Sequence, residues 1–189
     1  DWGYVELAGI VRQIEWDDFN EDEFDLSGSE TGWGFNLSSN INFGPNGSKF
    51  KGSVLHGEGV ENYMNDATTD LAVVEDFDNP TTPLTAKLLP ITALVAFYDM
   101  NWSDTWTSTI GYSVVDIDLD GTAARDSTFT KGQYALTNIQ YHPMPKLMAG
   151  AELQWIKRDN RSDGFTYDSW RVQFSFRYAF SYRIGGNQS

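Results

Sequence analysis

Three arginines carry the clearest chemistry in this sequence. Arg12, Arg171 and Arg177 alternate with apolar neighbours, and each guanidinium offers a planar, permanently charged fork that fits a carboxylate. Along a narrow watery passage such groups would favour small anions, because rings of charged side chains set the sign of a pore's selectivity. The alternative is structural, with the arginines paired to acidic neighbours on the same wall. Those neighbours would be Glu6, Glu58 and Glu152.

Further polar residues are expected on the wall that holds the arginines. Lys49 and Lys51 follow a predicted tight turn, so we expect them to be solvated charges near one mouth of the passage. The whole set predicted to line the passage is Arg12, Arg171, Arg177, Glu6, Glu152, Asn36 and Asn40.

A run of alternating aspartates has the spacing that opens an EF-hand calcium loop. It reads Asp116-Ile117-Asp118-Leu119-Asp120-Gly121, but Ser127 stands where the bidentate glutamate of that motif belongs. The same spacing arises wherever a strand runs into an acidic loop. Ca²⁺ bound through Asp116, Asp118 and Asp120 is therefore retained as a candidate, and no other cofactor is predicted.

The two histidines do not complete a catalytic set. His142 lies in a proline-flanked turn, whereas His56 is expected to face the passage near Glu58. Neither has an evident nucleophile and orienting group beside it, as nucleophilic or acid–base catalysis would require. A hydrolase or acyltransferase is the alternative from the enzyme class, and we expect no enzymatic activity.

The candidate residues lie on segments in which apolar and polar side chains alternate. In residues 170–180 the even positions are large and apolar, and the odd positions, including Arg171 and Arg177, are polar or small. Period two indicates a β-strand with different surroundings on its two faces. In residues 33–43, Asn36 and Asn40 belong to a row of glycine, asparagine and serine opposite five apolar residues. That row would be costly against a dry core, so water is expected on its side.

Eight segments of this kind predict an all-β protein, and their connections alternate between long and short. Long loops at one end and short turns at the other are typical of an outer-membrane barrel, whose short turns lie in the periplasm. The pattern predicts an antiparallel transmembrane β-barrel domain over residues 1–189, with both chain ends periplasmic and seven tryptophans near strand ends. The segments are residues 4–16, 33–43, 49–64, 89–102, 106–119, 129–141, 146–158 and 170–180. The long connections are residues 17–30, 65–88, 116–127 and 159–168, and the tight ones are 44–47, 103–105 and 142–145.

The composition excludes several other classes of protein. The chain has 189 residues and no cysteine. Aromatic side chains make up 15% of it, which is too many for a disordered protein. No window approaches the roughly 18 apolar residues of a membrane helix. The formal charge of -14 argues against nucleic acid as a partner.

Several ordered motifs resemble one family of porins. Gly57-Glu58-Gly59-Val60-Glu61-Asn62-Tyr63, followed by Leu71-Ala72-Val73-Val74, is similar to a segment and loop of the DcaP-like trimeric porins. The run from Ala96 to Ser103 resembles the strand and turn that follow there, and the last third of the chain is similar throughout. The resemblance covers the chain from about Trp33 onward. Members of that family are about twice as long, so this chain resembles their C-terminal half.

The resemblance implies a function that the spacing of residues does not show. It implies half of a sixteen-stranded barrel, assembled as a homotrimer, that lets small anions, notably dicarboxylates, diffuse across the outer membrane. Outer-membrane lipid and lipopolysaccharide would be its other partners.

A complete eight-stranded barrel is the alternative architecture. Its interior would be filled by its own side chains, and it would serve as a membrane anchor or surface-binding protein. The choice depends on whether the first and eighth strands pair with each other. The row of small residues from Gly34 to Asn42 lacks the bulk to fill a narrow interior, which favours the half-barrel.

Overall fold

The computed structural model describes residues 2–19, 24–43, 46–64 and 69–180. These residues form ten β-strands and one short 3₁₀ turn at Glu61–Tyr63. The described part of the chain contains no helix with the length and apolarity that crossing a bilayer requires. The strands are β1 (Gly3–Trp16), β2 (Gly28–Phe43), β3 (Ser48–Glu58), β4 (Leu71–Glu75), β5 (Leu84–Leu88), β6 (Pro90–Asn101), β7 (Trp106–Ile117), β8 (Phe129–Met144), β9 (Leu147–Asn160) and β10 (Thr166–Tyr178).

Eight of the strands build one antiparallel sheet in the order β1-β2-β3-β6-β7-β8-β9-β10, which we call the main sheet. β4 and β5 form a separate hairpin in the connection between β3 and β6. Each of the eight predicted segments corresponds to one strand of the main sheet, so the all-β antiparallel class is confirmed. β1 and β10 are the edges of this sheet and are not paired with each other, so the described residues do not form a closed eight-stranded barrel.

The main sheet has two faces of opposite character, as the alternation predicts. One face, the outer face, leaves large apolar side chains uncovered: Leu7 is 73% exposed, and Phe174 and Phe176 are 80% and 74% exposed. The other face, the inner face, is crossed by residues 59–64, which we call the inward segment. A Cβ atom at Gly34 would lie 3.0 Å from Cγ1 of Val60, so this small residue lets the inward segment approach the sheet closely.

The buried apolar core lies on the inner face near the loops. It is small, because most apolar side chains of the main sheet point outward instead. Alternation predicts a wet inner face along its whole length, and at this end that prediction is wrong, because Ile10 and Leu55 pack there against the core. The buried core residues are Val60, Leu89, Ile91, Ala93, Val115, Ile117 and Leu119.

The long connections gather at one end of the main sheet and bond to one another. The Lys87 ammonium group donates to the carbonyl oxygen of Asp120 at 3.0 Å, and the Ala123 N–H donates to the carbonyl oxygen of Val73 at 2.7 Å. Arg161 donates to the carbonyl oxygen of Thr122 at 3.1 Å and also to that of Ala124. The β4–β5 hairpin and the connections after β7 and β9 therefore stabilise each other.

Some predicted element boundaries differ from the structure. β3 ends at Glu58 instead of continuing to residue 64, because Gly59 adopts a left-handed conformation with φ of +65°. β8 continues through Met144, so the following tight turn is confined to Pro145 and Lys146. The connection predicted over residues 65–88 contains the β4–β5 hairpin, and residues 65–68, like part of the turn at 44–47, lie outside the described residues.

Candidate channel lining

An ion pair links neighbouring strands on the inner face. The Lys51 ammonium group of β3 lies 2.6 Å from Oδ2 of Asp99 on β6. The hydroxyl of Thr109 on β7 donates to Oδ1 of the same carboxylate at 2.8 Å. Lys51 is therefore a paired group within the wall, a contact that its sequence position does not indicate.

Glu152 is held by amide groups on the same face. The Asn138 side chain donates to Oε2 of Glu152 at 3.3 Å, and the Gln154 side chain donates to Oε1. Gln173 lies opposite Glu152 in the pairing of β9 with β10. Neutral donors thus take the place of the arginine partner that the structural alternative assigned to Glu152.

Arg171 and Arg177 lie on the edge strand β10 and face the same side as Glu152. The Arg171 guanidinium donates to Oε1 of Gln173 at 2.9 Å, and Arg177 lies opposite Met148 in the strand pairing. Within the described residues neither guanidinium forms an ion pair. Both can therefore offer their charge to a solute.

The remaining predicted polar residues also lie on the inner face. Glu6 lies opposite Ser38, and Asn40 lies between Tyr4 and Lys51 in the strand pairing. Asn36 accepts a hydrogen bond at 2.6 Å from the hydroxyl of Ser53. The register therefore brings the whole predicted set to one face.

Arg12 has a partner that the sequence does not indicate. Its guanidinium lies 3.2 Å from Oδ2 of Asp70, and the Asn62 amide donates to the same oxygen at 2.6 Å. The expected partners Glu6, Glu58 and Glu152 are not used. Asp70 precedes β4 and Asn62 follows Glu61, so Arg12 fastens the connection between β3 and β6 to the inner face.

Glu61 is the functional candidate that the sequence analysis missed. Its side chain is only 2% exposed, and neither carboxylate oxygen has a hydrogen-bond partner among the described residues. Burial, followed by the nearby Asp70 carboxyl group, raises the pKa of Glu61 to about 8. The sequence does contain one signal for this burial, the glycines Gly57 and Gly59 on either side of Glu58. Glycines at these positions allow the chain to turn inward, which buries Glu61.

The aspartates of the predicted calcium loop do not converge. Asp116 lies 2.8 Å from the Lys131 ammonium group, and Oδ1 of Asp118 accepts from the backbone N–H of Asp120 at 2.8 Å. In the described ranges no three histidine, cysteine or acidic side chains are grouped to hold a metal ion. The alternation that gives the motif its spacing comes from a strand that runs into an acidic loop.

Both histidines bond to threonines. Nδ1 of His56 lies 2.8 Å from the Thr92 hydroxyl, and the ring packs between Trp33 and Phe35 on the outer face, so its expected position in the passage is wrong. Nε2 of His142 lies 3.4 Å from the Thr107 hydroxyl.

Comparison with known proteins identifies the architecture. No protein-family model matches the chain, and no curated protein matches it. A solved structure, the outer membrane channel DcaP of Acinetobacter baumannii, superposes with a TM-score of 0.69 at 19% sequence identity. The chain has the fold of part of an outer-membrane channel.

The match covers 94% of this chain and 54% of the DcaP chain, so the chain spans about half the length of the channel. The resemblance seen in the sequence motifs is confirmed for the fold, including the prediction that only part of a DcaP-like barrel is represented. The main sheet is thus the counterpart of one portion of a channel wall.

Proposed function

We propose that this chain forms part of the wall of a bacterial outer-membrane porin, through which small hydrophilic anions diffuse passively. The observation that carries the proposal is the two-faced main sheet, with an aromatic outer face and charged side chains on the inner face. Residues from Trp170 to Tyr178 on β10 extend over roughly 27 Å, or about 20 Å along the membrane normal at the usual strand tilt. That length suits the apolar band of about 25 Å found on such barrels.

The inner-face charges favour anions in the region below the inward segment. Lys51 neutralises Asp99, which leaves Glu6 and Glu152 as acidic groups against Lys49, Arg171 and Arg177 as basic ones. Arg171 and Arg177 are separated by six residues of one strand, or roughly 20 Å, which is too far for one small dicarboxylate to bridge. They would act as two successive binding positions for an anion, and each would replace part of the hydration shell of the solute.

The orientation and partners follow from the same proposal. The long loops would face outward and both chain ends the periplasm, because short turns lie on the periplasmic side of such barrels. Lys131 and Lys157, paired with Asp116 and Asp159 on the outer face beyond the Trp155–Trp170 ring pair, would lie at the level of lipopolysaccharide headgroups. The family resemblance supports a homotrimer that selects dicarboxylates. We also propose that the protein has no enzymatic activity and no nucleic-acid partner.

Single-channel recording tests this function. The purified protein that contains this chain should give ion-conducting steps in planar bilayers, with reversal potentials in a salt gradient that indicate anion preference. Arg171→Glu combined with Arg177→Glu should reverse that preference, because the two guanidiniums are unpaired within the described residues. Lys157→Glu is the control, since it makes a charge change of the same kind on the outer face. Absence of steps would exclude the porin, and cation preference in the unmodified protein would exclude anion selectivity.

A further inference from the structure

The inward segment packs on the buried apolar residues of the inner face, which we call the apolar seat. Val60 is 1% exposed and belongs to the apolar core with Leu89 and Ile91. A Cβ atom at Gly59 would lie 2.8 Å from Cδ1 of Ile14, so the chain enters the seat in close contact with β1. Met64 packs against the same core at the other end of the segment. The segment therefore covers the loop end of the passage wall.

The ion pair of Arg12 with Asp70 holds the returning chain in place. Asp70 lies eight residues after Asn62, and the Asn62 side chain donates to its carboxylate at 2.6 Å. Arg12 approaches the same oxygen at 3.2 Å. The pair and the Asn62 contact therefore fasten the stretch that precedes β4 to β1.

Glu61 is buried in the apolar seat, and no cation of the described residues pairs with it. The facing residues of β2 and β6, Gly34 and Ile91, carry no charge, and Arg12 on β1 binds Asp70. Glu58 at the end of β3 belongs to the outer face, because it follows Gly57 by one residue. On β5, the Lys87 ammonium group bonds to the carbonyl oxygen of Asp120. Among the described residues, the Asp70 carboxylate is the charged group that acts on Glu61, and it has the same sign.

We propose that Glu61 is a proton-operated lock for the inward segment. With a proton on its carboxyl group, Glu61 stays in the apolar seat and the segment narrows the passage. Loss of that proton places an unpaired charge beside Asp70 in the seat, and the segment leaves the inner face. The effect on transport rests on the proposed porin function, whereas the movement of the segment does not.

The direction of the pH response follows from proton linkage. The docked segment raises the pKa of Glu61 from 4.5 to about 8, so docking and proton binding favour each other. Docking is strongest below about pH 4.5, weakens as the pH rises from there to about 8, and changes little above that value. Within this window the equilibrium constant for release should rise by up to about tenfold per pH unit.

Two measurements on the whole protein test the lock. The chain has no cysteine, so Leu89→Cys beneath the segment gives a single thiol whose labelling rate reports release. Val73→Cys, at an exposed site on β4, corrects for the intrinsic pH dependence of thiol reactivity. The corrected rate and the single-channel conductance should both rise from pH 5 to 8 in the parent protein, and both should stay constant in Glu61→Gln.

The outcomes separate the lock from the porin function. Glu58→Gln, on the outer face, should keep the parent pH profile. A pH-dependent labelling rate that Glu61→Gln abolishes, in a protein without conductance, would support the lock and exclude the porin. A pH profile that is flat in the parent, or the same in Glu61→Gln, would overturn the lock and leave the porin function intact.

Discussion

Lys51 and Asp99 illustrate how an exposed charged pair contributes little to stability. Their side chains are 51% and 30% exposed, so water screens the attraction between the charges. Pairs of this kind typically contribute about 0–1 kcal/mol. In the proposed channel the two charges would largely cancel for a passing ion, so removal of one member would expose the charge of the other.

Substitution of Lys51 separates these two effects. Lys51→Met should lower the free energy of unfolding by less than about 1 kcal/mol, since the pair is exposed. It should also shift the reversal potential toward cations, because the Asp99 carboxylate then stays uncompensated on the inner face. Urea unfolding in detergent and planar-bilayer recording measure the two quantities. A large loss of stability with unchanged selectivity would contradict this view of the pair.

Arg12 shows what alternation can and cannot predict about a residue. The period of β1 places its side chain on the inner face, as the structure does. Its partner Asp70 is 58 residues away in sequence and lies in a connection without periodicity, so no local pattern indicates the contact. The same reason explains why Glu61 was missed, since only the path of the connection reveals its burial.

At the scale of elements, the inward segment depends on Gly59. Its φ of +65° is a conformation that residues with a Cβ adopt only at a cost of about 1–2 kcal/mol. A Cβ there would also meet Ile14 at 2.8 Å and Leu88 at 2.9 Å. The backbone turn and the close contact therefore require glycine for separate reasons.

Two glycine substitutions distinguish those reasons. Gly121 has a similar φ of +73°, but an added Cβ would meet nothing within 4 Å. Gly59→Ala should therefore lower the free energy of unfolding by about 1 kcal/mol more than Gly121→Ala, at the low end of the usual cost of overpacking, because only the side-chain ends of Ile14 and Leu88 must shift. Urea unfolding curves of both variants measure the difference, and equal losses would mean that the inward segment does not press against β1.

The strands of the main sheet could be predicted because apolar and polar side chains alternate along them, as they do where the two faces of a strand have different surroundings. β10 and β2 alternate so regularly that both faces can be assigned from the residues alone, and the structure confirms them. The β4–β5 hairpin could not be predicted, since five-residue strands in a long polar connection carry too little pattern. The apolar seat was missed because Ile10, Leu55 and Ala93 occupy positions that alternation assigns to water.

At the scale of the whole molecule, the two faces of the main sheet should respond differently to the same charge. Phe174 lies midway between the aromatic residues Trp170 and Tyr178 on the outer face, and Gln173 is its neighbour on the inner face. Arg at position 174 would meet acyl chains, whereas Arg at position 173 would meet water. This contrast is a direct consequence of the proposed membrane location.

Paired substitutions at these adjacent positions measure that contrast. Phe174→Arg should make the free energy of folding into phospholipid vesicles less favourable by about 2–4 kcal/mol, the usual cost of this residue near the bilayer midplane. Gln173→Arg should change it by less than about 1 kcal/mol, since the inner face is hydrated. Urea titration of vesicle-inserted protein gives both values, and equal effects would show that the outer face does not contact lipid.

The apolar seat near the loops gives the inner face a gradient along its length. From the loop end, a permeating ion would first pass the Arg12–Asp70 pair and the apolar side chains of Ile10 and Leu55, and only then reach the charged groups around Lys51, Glu152 and Arg171. Electric fields reach further where few polar groups and little water surround them. Across this apolar entrance, Arg171 would therefore attract an anion from a greater distance than it would along a wall that is hydrated over its whole length.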